Sequence, residues 1–529
     1  MQQGYEKSIT TVSDASDVEW DCVVVGAGMG GGATAYACVE KGKKTLLIDA
    51  GFLVDSKLDT NSITTEIEEP TERKRNGLWP SKIRAVVDGS SSDIWAPMGS
   101  GIGGSTLLYA AALQRLERED FAEQALPSGE KISWPFSFDS IVSYYEQAET
   151  LLKVRGTKDP RIEKESCLLT PPKMSEADEE YFKFFEKIGL NPYRLHVGIT
   201  YKEGCGECAG ELCPKDCKSD ALNSFIVPAL HTNRLSLLPG ENVVGLESRN
   251  GVVEAVVFES GAKVIGKTFF LAAGALNTPK LLLSSTTEND QPIASGNKYV
   301  GRNLMFHSGH HIAYWPPKKS SRSGPNKTIA LRDFYKFNDK KMGEFQSTGL
   351  TAGYGNVLYA ARFIVSQNRI LRRIPLLKKA MVVPAYLLSK LLGKASIFAT
   401  ICEDFPYFEN RVELDSNTPS GFRIVYNVHD ELSNRTYDML DLVRSRMKPL
   451  RSIPMNFKMH LNYGHPCGTC RASTDAKNGV LDKDCRVFGT ENLYVTDASF
   501  MPTSGGTNPS LTIAANALRV VDFIYQEAK

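Results

Sequence analysis

The sequence lacks net charge, a long apolar run and an export signal at its start. Its 62 basic and 61 acidic residues nearly cancel, so composition gives no reason to expect a nucleic-acid partner. No apolar run approaches the length of a membrane-spanning helix. The start, MQQGYEKSITTVSDASDVEW, lacks the basic end and apolar centre of a signal peptide. We therefore expect a cytoplasmic protein that does not bind nucleic acid.

Cysteines are present, but their pattern does not indicate a disulfide framework. The chain has eleven of them, an odd number, and without an export signal a reducing compartment is expected. At 529 residues the chain also exceeds what one hydrophobic core usually organises. The sequence therefore predicts two large domains, with room for a buried cofactor cleft between them.

The first motif is a glycine-rich turn between two short apolar segments. The run CVVV passes directly into Gly26-x-Gly28-x-x-Gly31, an alanine-rich segment follows, and KTLLID ends at Asp49. This order is typical of a β-α-β dinucleotide site, whose glycines make the turn, admit a pyrophosphate and allow helix–strand contact. Asp49 would then accept hydrogen bonds from ribose hydroxyls. The glycines do not distinguish NAD from FAD.

A second glycine-rich stretch and several later segments resemble one enzyme family. Residues 98–121 read MGSGIGGSTLLYAAALQRLEREDF. They resemble the signature of the glucose-methanol-choline (GMC) flavoprotein oxidoreductases, in which a second glycine loop lies against the flavin. Further similar segments follow in the family's order: WPFSFDSIVSYYEQAETLLKVRG (134–156), FFLAAGALNTPKLLLSS (269–285), VGRNLMFH (300–307) and NLYVTDASFMPTSGGTNPSLTIAANALRVVDFI (492–524). The resemblance looks nearest to the flavin subunits of bacterial sugar and polyol dehydrogenases.

The resemblance implies an α/β fold in two interleaved parts. One is a Rossmann-like FAD-binding domain of the GMC type, and the other is a substrate domain built on an antiparallel sheet, with the active site between them. We expect the FAD-binding domain to comprise residues 18–52, 90–130, 200–310 and 456–529. The substrate domain is expected to comprise residues 53–89, 131–199 and 311–455. Each domain is thus predicted to be assembled from separated stretches of chain.

The resemblance also implies two catalytic residues. In the family a histidine that faces the flavin is separated by two residues from Gly-Thr, and His465 in HPCGTC takes that position. A second polar residue precedes proline, and this is Asn508 in TNPSLTI. A neutral imidazole can take the hydroxyl proton of an alcohol, and Asn508 would hold the same oxygen. A structural histidine, zinc, or a redox pair of Cys467 and Cys470 are alternatives that the surrounding motifs make weaker.

Position-by-position comparison implies a set of FAD contacts. They lie in both glycine motifs, at the end of KTLLID and in three later segments: Gly26, Gly28, Gly31, Asp49, Gly99, Gly103, Gly104, Ser105, Val243, Ala273, Asp497 and Ala498. Some relatives attach FAD covalently through a histidine after the second glycine loop. This chain has Leu107-Leu108-Tyr109 there. FAD is therefore expected to be bound non-covalently.

Four cysteines are concentrated between residues 205 and 217. Cys205, Cys208, Cys213 and Cys217 are separated by two, four and three residues. Thiolates in a reducing compartment favour metal over disulfide, and some dehydrogenases of the family carry an iron–sulfur cluster on such a segment, with a different spacing. The four cysteines are a candidate metal site, for an iron–sulfur cluster or structural zinc, and unliganded or paired thiols are the alternative.

Residues 361–402 are both basic and apolar. The stretch contains eight Lys or Arg and no acid, and Pro375 and Pro384 divide it into pieces too short to span a bilayer. It indicates either an amphipathic segment resting on an anionic membrane surface, or a lid whose leucines pack inward. In the first case the protein would be peripheral on the inner face of a membrane.

The expected function is FAD-dependent oxidation of an alcohol to an aldehyde or ketone, with His465 as base. The expected partners are a small-molecule alcohol and an electron acceptor: oxygen, a quinone or a cytochrome-type protein. Two alternatives are a flavin-containing electron-transfer subunit with an iron–sulfur cluster, and a lyase of the same fold whose flavin stays oxidised. Residues 310–455 contain no recognisable motif, so the sequence does not identify the alcohol.

Overall fold

The computed structural model describes residues 6–54, 67–127, 129–162, 167–287, 293–294, 297–351, 353–367, 371–393, 395–456 and 458–526. Parts of the predicted substrate domain, residues 55–66 and 163–166, lie outside these ranges. The α-helices of the described residues are α1 Val12–Ser16, α2 Met29–Glu40, α3 Pro70–Arg75, α4 Arg118–Phe121, α5 Val142–Leu151, α6 Glu176–Lys187, α7 Val227–Leu230, α8 Gly274–Ser284, α9 Tyr354–Gln367, α10 Pro375–Ala380, α11 Val382–Leu392, α12 Asp430–Arg446 and α13 Ser510–Gln526. None of them combines the length and apolarity that crossing a bilayer requires.

The strands of the described residues are β1 Trp20–Val25, β2 Thr45–Asp49, β3 Ile83–Val87, β4 Ser90–Ile94, β5 Gln124–Ala125, β6 Lys131–Ile132, β7 Tyr193–Arg194, β8 Leu235–Pro239, β9 Val243–Arg249, β10 Val252–Phe258, β11 Lys263–Leu271, β12 Thr286–Thr287, β13 Ser308–Gly309, β14 His311–Tyr314, β15 Ile329–Leu331, β16 Lys336–Phe337, β17 Lys340–Lys341, β18 Gly343–Thr351, β19 Ser396–Cys402, β20 Arg411–Leu414, β21 Phe422–Tyr426, β22 Ser452–Pro454, β23 His460–Leu461 and β24 Leu493–Val495. They form two large sheets, a smaller four-stranded sheet and two short hairpins.

The first large sheet contains the strands on both sides of the first glycine motif. Its strand order is β12-β9-β10-β11-β1-β2-β8, and β24 pairs with the end of β11. The β8-β2-β1-β11-β24 pairs are parallel. In β2 the residues from Leu46 to Ile48 are completely buried, as expected for a parallel strand covered on both faces. Helices α2 and α13 pack against each other on this sheet.

The second large sheet is antiparallel. Its order is β22-β14-β19-β18-β15-β7, and the short strands β13 and β23 pair with each other beside β19. Alternate residues point to opposite faces: Tyr314 and Phe398 pack with α6 and α12, whereas Ala313 and Ile397 pack with α9 and α11. The remaining sheet has the order β20-β21-β3-β4.

The predicted fold class is confirmed, since a parallel nucleotide-type sheet and an antiparallel sheet occur in one α/β chain. Strands of the first sheet come from the beginning, middle and end of the sequence. Strands of the second sheet come mainly from the region between residues 308 and 461. The domain boundaries stay a prediction.

Candidate active site

The first glycine motif forms a tight connection between β1 and α2. Gly26 has φ of +103°, and a Cβ there would lie 2.3 Å from the carbonyl oxygen of Ala272. A Cβ on Gly31 would lie 1.7 Å from the carbonyl oxygen of Gly26, so the helix–strand contact admits only glycine. A Cβ on Gly28 would meet only the Cα of Gly104, at 3.9 Å. Space is therefore left at Gly28, the residue that caps α2.

The second glycine loop lies directly against the first. A Cβ on Gly104 would lie 2.6 Å from the Cα of Gly28, so the two loops touch through their backbones. Gly103 and Gly104 both have positive φ, of +116° and +55°. The amide of Gly99 donates to Oγ of Ser105 at 3.1 Å, which closes the loop on itself. All four predicted residues of this loop are thus beside the N-terminus of α2.

Asp49 connects the strand end of β2 to the first glycine loop. Its Oδ2 accepts from the amide of Ala27 and its Oδ1 from the amide of Gly51, each at 2.8 Å. Burial raises the pKa of Asp49 to about 6, although these amide donors act to lower it. The carbonyl of Asp49 also accepts from the amide of Glu241, two residues before Val243. The predicted ribose and adenine contacts therefore lie side by side.

The remaining predicted FAD contacts lie where β11 and β24 end. Oδ2 of Asp497 accepts from the amide of Gly274 at 2.8 Å, and its Oδ1 accepts from the amide of Ser499 at 2.8 Å. Ala273 directly precedes Gly274, and Ala498 lies between Asp497 and Ser499. Asp497 thus joins the start of α8 to the segment after β24.

Together, the twelve predicted FAD contacts surround the carboxyl ends of β1, β2, β11 and β24. In parallel α/β sheets this edge is where ligands bind. The first turn of α2 carries no acidic residue, and its N-terminal amides and dipole favour an anion such as a pyrophosphate. Glycine backbones, a helix N-terminus and a carboxylate therefore fit a dinucleotide at this edge.

His465 belongs to a hydrogen-bonded chain of two histidines. Its Nδ1 lies 3.0 Å from Nδ1 of His307, whose Nε2 lies 2.9 Å from the carbonyl oxygen of Gly505. Pairing of β13 with β23 sets this geometry, because the amide of Asn462 donates to the carbonyl of His307. Burial, the neighbouring imidazole and Lys327 lower the pKa of His465 to about 3. Burial lowers the pKa of His307 to about 4, so both rings are neutral at pH 7.

Asn508 lies in a buried polar cluster, three residues after Gly505. Its Nδ2 donates to Oε1 of Gln114 at 3.1 Å and to Oε1 of Gln346 at 3.2 Å. Gln114 also donates to the carboxylate of Glu344, whose pKa burial raises to about 7. Asn508 and His465 are thus connected to the same loop, and two glutamines fix the orientation of the Asn508 amide.

Sequence reasoning missed four residues around this site. His307 ends the motif VGRNLMFH and Gln114 lies in the second glycine motif, so both stood in stretches that resemble the family without receiving a role. Gln346 and Lys327 come from the region without motifs. Burial lowers the pKa of Lys327 to about 7, and its Nζ donates to the carbonyl of Ala110. Their only sequence signal is a polar residue in or beside an apolar strand.

The four clustered cysteines form two thiol pairs. Cys208 is hydrogen-bonded to Cys213, and Cys205 to Cys217. The pKa of Cys213 is lowered to about 4, chiefly because the Cys208 thiol donates to its sulfur, which also accepts from the amide of Cys217 at 3.1 Å. Among the described residues, which include all four, no group of three or more His, Cys, Asp or Glu is placed to hold a metal ion.

This geometry does not support the predicted metal site at Cys205, Cys208, Cys213 and Cys217. A metal ion requires three or four ligands that converge on one point, and the described residues, these four cysteines included, do not place such a group together. The paired-thiol alternative describes the arrangement better, and all four cysteines are free of disulfide bonds. The amide of Gly210 donates to the carbonyl of Leu108, so the cysteine segment packs on the second glycine loop.

Comparisons with known proteins agree with this geometry. Family models described as GMC oxidoreductase match residues 21–309 and 406–517. The 6'''-hydroxyparomomycin C oxidase of Streptomyces lividus is 26% identical over 95% of this chain and 91% of its own. The fructose dehydrogenase large subunit of Gluconobacter japonicus is 24% identical over 96% of this chain and 98% of its own.

A solved structure shows the same fold at low identity. Pyridoxine 4-oxidase from Mesorbium loti superimposes with a TM-score of 0.64 at 16% identity, covering 96% of this chain and 99% of that one. The two family models together reach from the first glycine motif to the helix that follows Asn508. The family suggested by the motifs is confirmed: the chain belongs to the GMC oxidoreductases.

Proposed function

We propose that the protein oxidises a hydroxyl group of a small-molecule alcohol to a carbonyl, with FAD as cofactor and His465 as base. The observation that supports this most strongly is the chain of hydrogen bonds from His465 through His307 to the carbonyl of Gly505. In a chain that belongs to a family of oxidoreductases, it supplies a half-buried imidazole whose lowered pKa keeps it neutral. A proton acceptor of this kind is what alcohol oxidation requires of the protein.

The chain of hydrogen bonds determines which nitrogen of His465 is available. A backbone carbonyl only accepts, so Nε2 of His307 must carry the proton that it donates to Gly505. Nδ1 of a neutral His307 is then an acceptor, and His465 must donate to it from Nδ1. Nε2 of His465 is left without a proton. A general base needs such a nitrogen, held in one orientation.

The cofactor and the chain's own residues divide the chemistry. Bound FAD would supply the acceptor for the hydride that leaves the alcohol carbon. The backbones of Gly26, Gly28 and Gly104 would hold its pyrophosphate, and Asp49 would hold a ribose. His465 takes the hydroxyl proton on Nε2 while its Nδ1 proton stays on the hydrogen bond to His307. This chain has Leu107-Leu108-Tyr109 where some relatives have a histidine that attaches FAD covalently. Denaturation should therefore release FAD unmodified.

The polar cluster supports a substrate with more than one hydroxyl. Asn508 donates both amide protons to Gln114 and Gln346, so its remaining hydrogen-bonding atom, Oδ1, is an acceptor. The proton of the reacting hydroxyl goes to His465, and a second hydroxyl would supply the donor for Oδ1. The relative named fructose dehydrogenase large subunit is consistent with a sugar-like or polyol substrate.

Reduced flavin must pass its electrons to an acceptor. Oxygen serves in an oxidase, and a quinone or a cytochrome-type partner serves in a dehydrogenase; relatives of this chain carry both kinds of name. Anaerobic reduction by substrate, followed by addition of air or of a soluble quinone, measures which acceptor returns the flavin to its oxidised spectrum.

The reaction is tested by flavin bleaching without oxygen. Purified protein with bound FAD is mixed anaerobically with sugars, polyols, sterols, long-chain alcohols and aromatic alcohols. We expect loss of the oxidised flavin absorbance with a polyol or sugar, and formation of the matching carbonyl product. A protein that cannot take up FAD, or whose bound FAD no alcohol reduces, would contradict the proposal.

His465→Ala separates the base from cofactor binding. We expect FAD to remain bound while its reduction by substrate slows by about 10²–10⁴-fold, the usual contribution of a general base. His231→Ala, at an exposed histidine, is the control and should leave the rate unchanged. Stopped-flow absorbance of the flavin measures both, and an unchanged rate in His465→Ala would remove this residue from the mechanism.

A further inference from the structure

Helices α10 and α11 present their large apolar side chains to solvent. Leu376 is 75% exposed, Val383 65% and Leu387 63%. The same surface includes Ile374, Val382, Tyr386, Leu388 and Leu391, each at least two-fifths exposed. We call these eight residues the α10–α11 surface. Contiguous apolar patches of this kind usually mark an interaction site on a protein.

The side of α11 that faces the protein is a narrow stripe of buried residues. Ala385, Ser389 and Leu392 are buried at helical spacing. Ala385 and Leu392 belong to one buried cluster with residues of α9 and of the antiparallel sheet: Ala313, Val357, Leu358, Ala395 and Ile397. The helix is therefore attached to the sheet through this narrow stripe. The other aliphatic side chains of α11, from Val382 to Leu391, remain at least two-fifths exposed among the described residues.

Positive charge accompanies the α10–α11 surface. Residues 361–402 contain eight Lys or Arg and no Asp or Glu. Arg373, Lys379 and Lys390 are exposed beside the apolar residues. Nζ of Lys390 lies 5.3 Å from the ring of Tyr386, so a cation and an aromatic ring stand together at the surface. Residues 368–370 and 394 of the predicted segment lie outside the described ones.

We propose that the α10–α11 surface docks on an anionic lipid bilayer. The aliphatic side chains would enter the boundary between headgroups and acyl chains, Tyr386 would lie at the headgroups, and the cations would contact anionic lipid. Helices of six and eleven residues are too short to cross the bilayer, so they would lie in its surface. The protein would then be a peripheral membrane protein.

Charge favours a bilayer over a second copy of the chain. In a symmetric dimer through this surface, the exposed Arg373, Lys379 and Lys390 of one copy would face the same cations of the other, and like charges would repel. An anionic bilayer complements both the apolar side chains and the cations. Docking through the α10–α11 surface does not depend on the chemistry of His465.

Vesicle flotation with the purified holoprotein tests the proposal. Vesicles of phosphatidylcholine alone are compared with vesicles that also contain phosphatidylglycerol, at low and at high salt. We expect binding to the anionic vesicles, weaker binding at high salt and little binding to the neutral ones. Absence of binding to anionic vesicles at low salt would overturn the proposal.

Two sets of variants distinguish the contributions of the apolar side chains and of the cations to vesicle binding. Leu387→Asp with Leu391→Asp should lower vesicle affinity by at least about tenfold, because two inserted side chains become charged. Lys379→Gln and Lys390→Gln should each lower it by about fivefold, the usual effect of one cation near anionic lipid. Leu414→Asp, at a leucine 46% exposed on β20, is the matched control and should bind like the unmodified protein.

The same variants test whether a second copy of the chain, instead of a bilayer, covers the α10–α11 surface. All of them should keep the flavin absorbance and the thermal unfolding midpoint of the unmodified protein, because the changed side chains are at the surface. Sedimentation velocity then measures self-association. A concentration-dependent dimer that the double change Leu387→Asp with Leu391→Asp disperses, together with unchanged vesicle binding in that variant, would overturn the bilayer proposal in favour of a second copy.

Discussion

The nucleotide side and the catalytic side of this site are built in different ways. The first glycine loop, α2 and Asp49 come from one continuous stretch between Cys22 and Asp49. The catalytic histidine chain combines three distant stretches, which supply His307, His465 and the carbonyl of Gly505. The first arrangement depends on local backbone geometry. The second depends on the pairing of β13 with β23, which places two histidines in contact.

The largest effect is expected where the local arrangement has no free space. Gly31→Ala would place a Cβ 1.7 Å from the carbonyl oxygen of Gly26. Neither backbone can move without separating α2 from β1, so we expect a loss of about 3 kcal/mol or more in the free energy of unfolding. Soluble yield and thermal unfolding measure it. Gly355→Ala, where a Cβ would have no atom within 4 Å, is the control.

A change at His307 examines the long-range arrangement. His307→Leu keeps a side chain of similar size and removes the acceptor for the Nδ1 proton of His465, so the orientation of the base is lost. We expect FAD to stay bound and its reduction to slow by about 10²-fold, as for other small misplacements of catalytic groups. Stopped-flow reduction of the bound flavin measures the rate.

His307→Asn distinguishes orientation from packing. The asparagine Oδ1 can accept near the position of Nδ1, so this variant should recover part of the rate that the leucine variant loses. Equal rates in the two variants would show that His307 acts only by filling space.

Gly28→Ala compares a glycine that has free space beside it with Gly31 of the same motif, which has none. Its Cβ would meet only the Cα of Gly104, at 3.9 Å, so the protein without FAD should fold with nearly unchanged stability. The methyl group would instead occupy the space assigned to the pyrophosphate. We expect FAD affinity to fall by about 10- to 100-fold, corresponding to the usual loss from overpacking. Titration of the apoprotein with FAD measures this, and unchanged affinity would place the pyrophosphate elsewhere.

The smallest effect concerns pH. An imidazole of ordinary pKa would be about 90% protonated near pH 5.5 and would lose about tenfold in rate as a base. The pKa of His465 is lowered to about 3, so its base form persists as pH falls. We expect the rate of flavin reduction to change by less than about twofold between pH 8 and pH 5.5. A fall in this rate centred near the ordinary imidazole pKa would show that the pKa of His465 is not lowered as the structure indicates.

The sequence predicts the locally built nucleotide side of the site better than the catalytic side, which depends on long-range contacts. Spacing within one segment correctly predicted the first β-α-β unit. The resemblance of several motifs correctly implied the α/β fold class and the GMC family. The role of His307 could not be predicted, because its partners lie 158 and 198 residues away along the chain. The cysteine spacing indicated a metal site, but convergence of ligands depends on how that segment folds on the second glycine loop, and the described residues do not bring three or more potential ligands together. Periodicity in residues 361–402 did not determine whether the leucines face inward or outward, since that depends on which stripe of α11 meets the sheet.

The closure of the first sheet has a consequence for how the protein is made. Thr34 of α2 donates to the hydroxyl of Thr496, 462 residues further along the chain, and a Cβ on Gly30 would touch the carbonyl of Thr496. During synthesis the first β-α-β unit therefore emerges from the ribosome long before the segment after β24 that covers α2. Helix α2 stays incompletely covered until that segment has been synthesised. Flavin loading is thus expected to be a late, post-translational event.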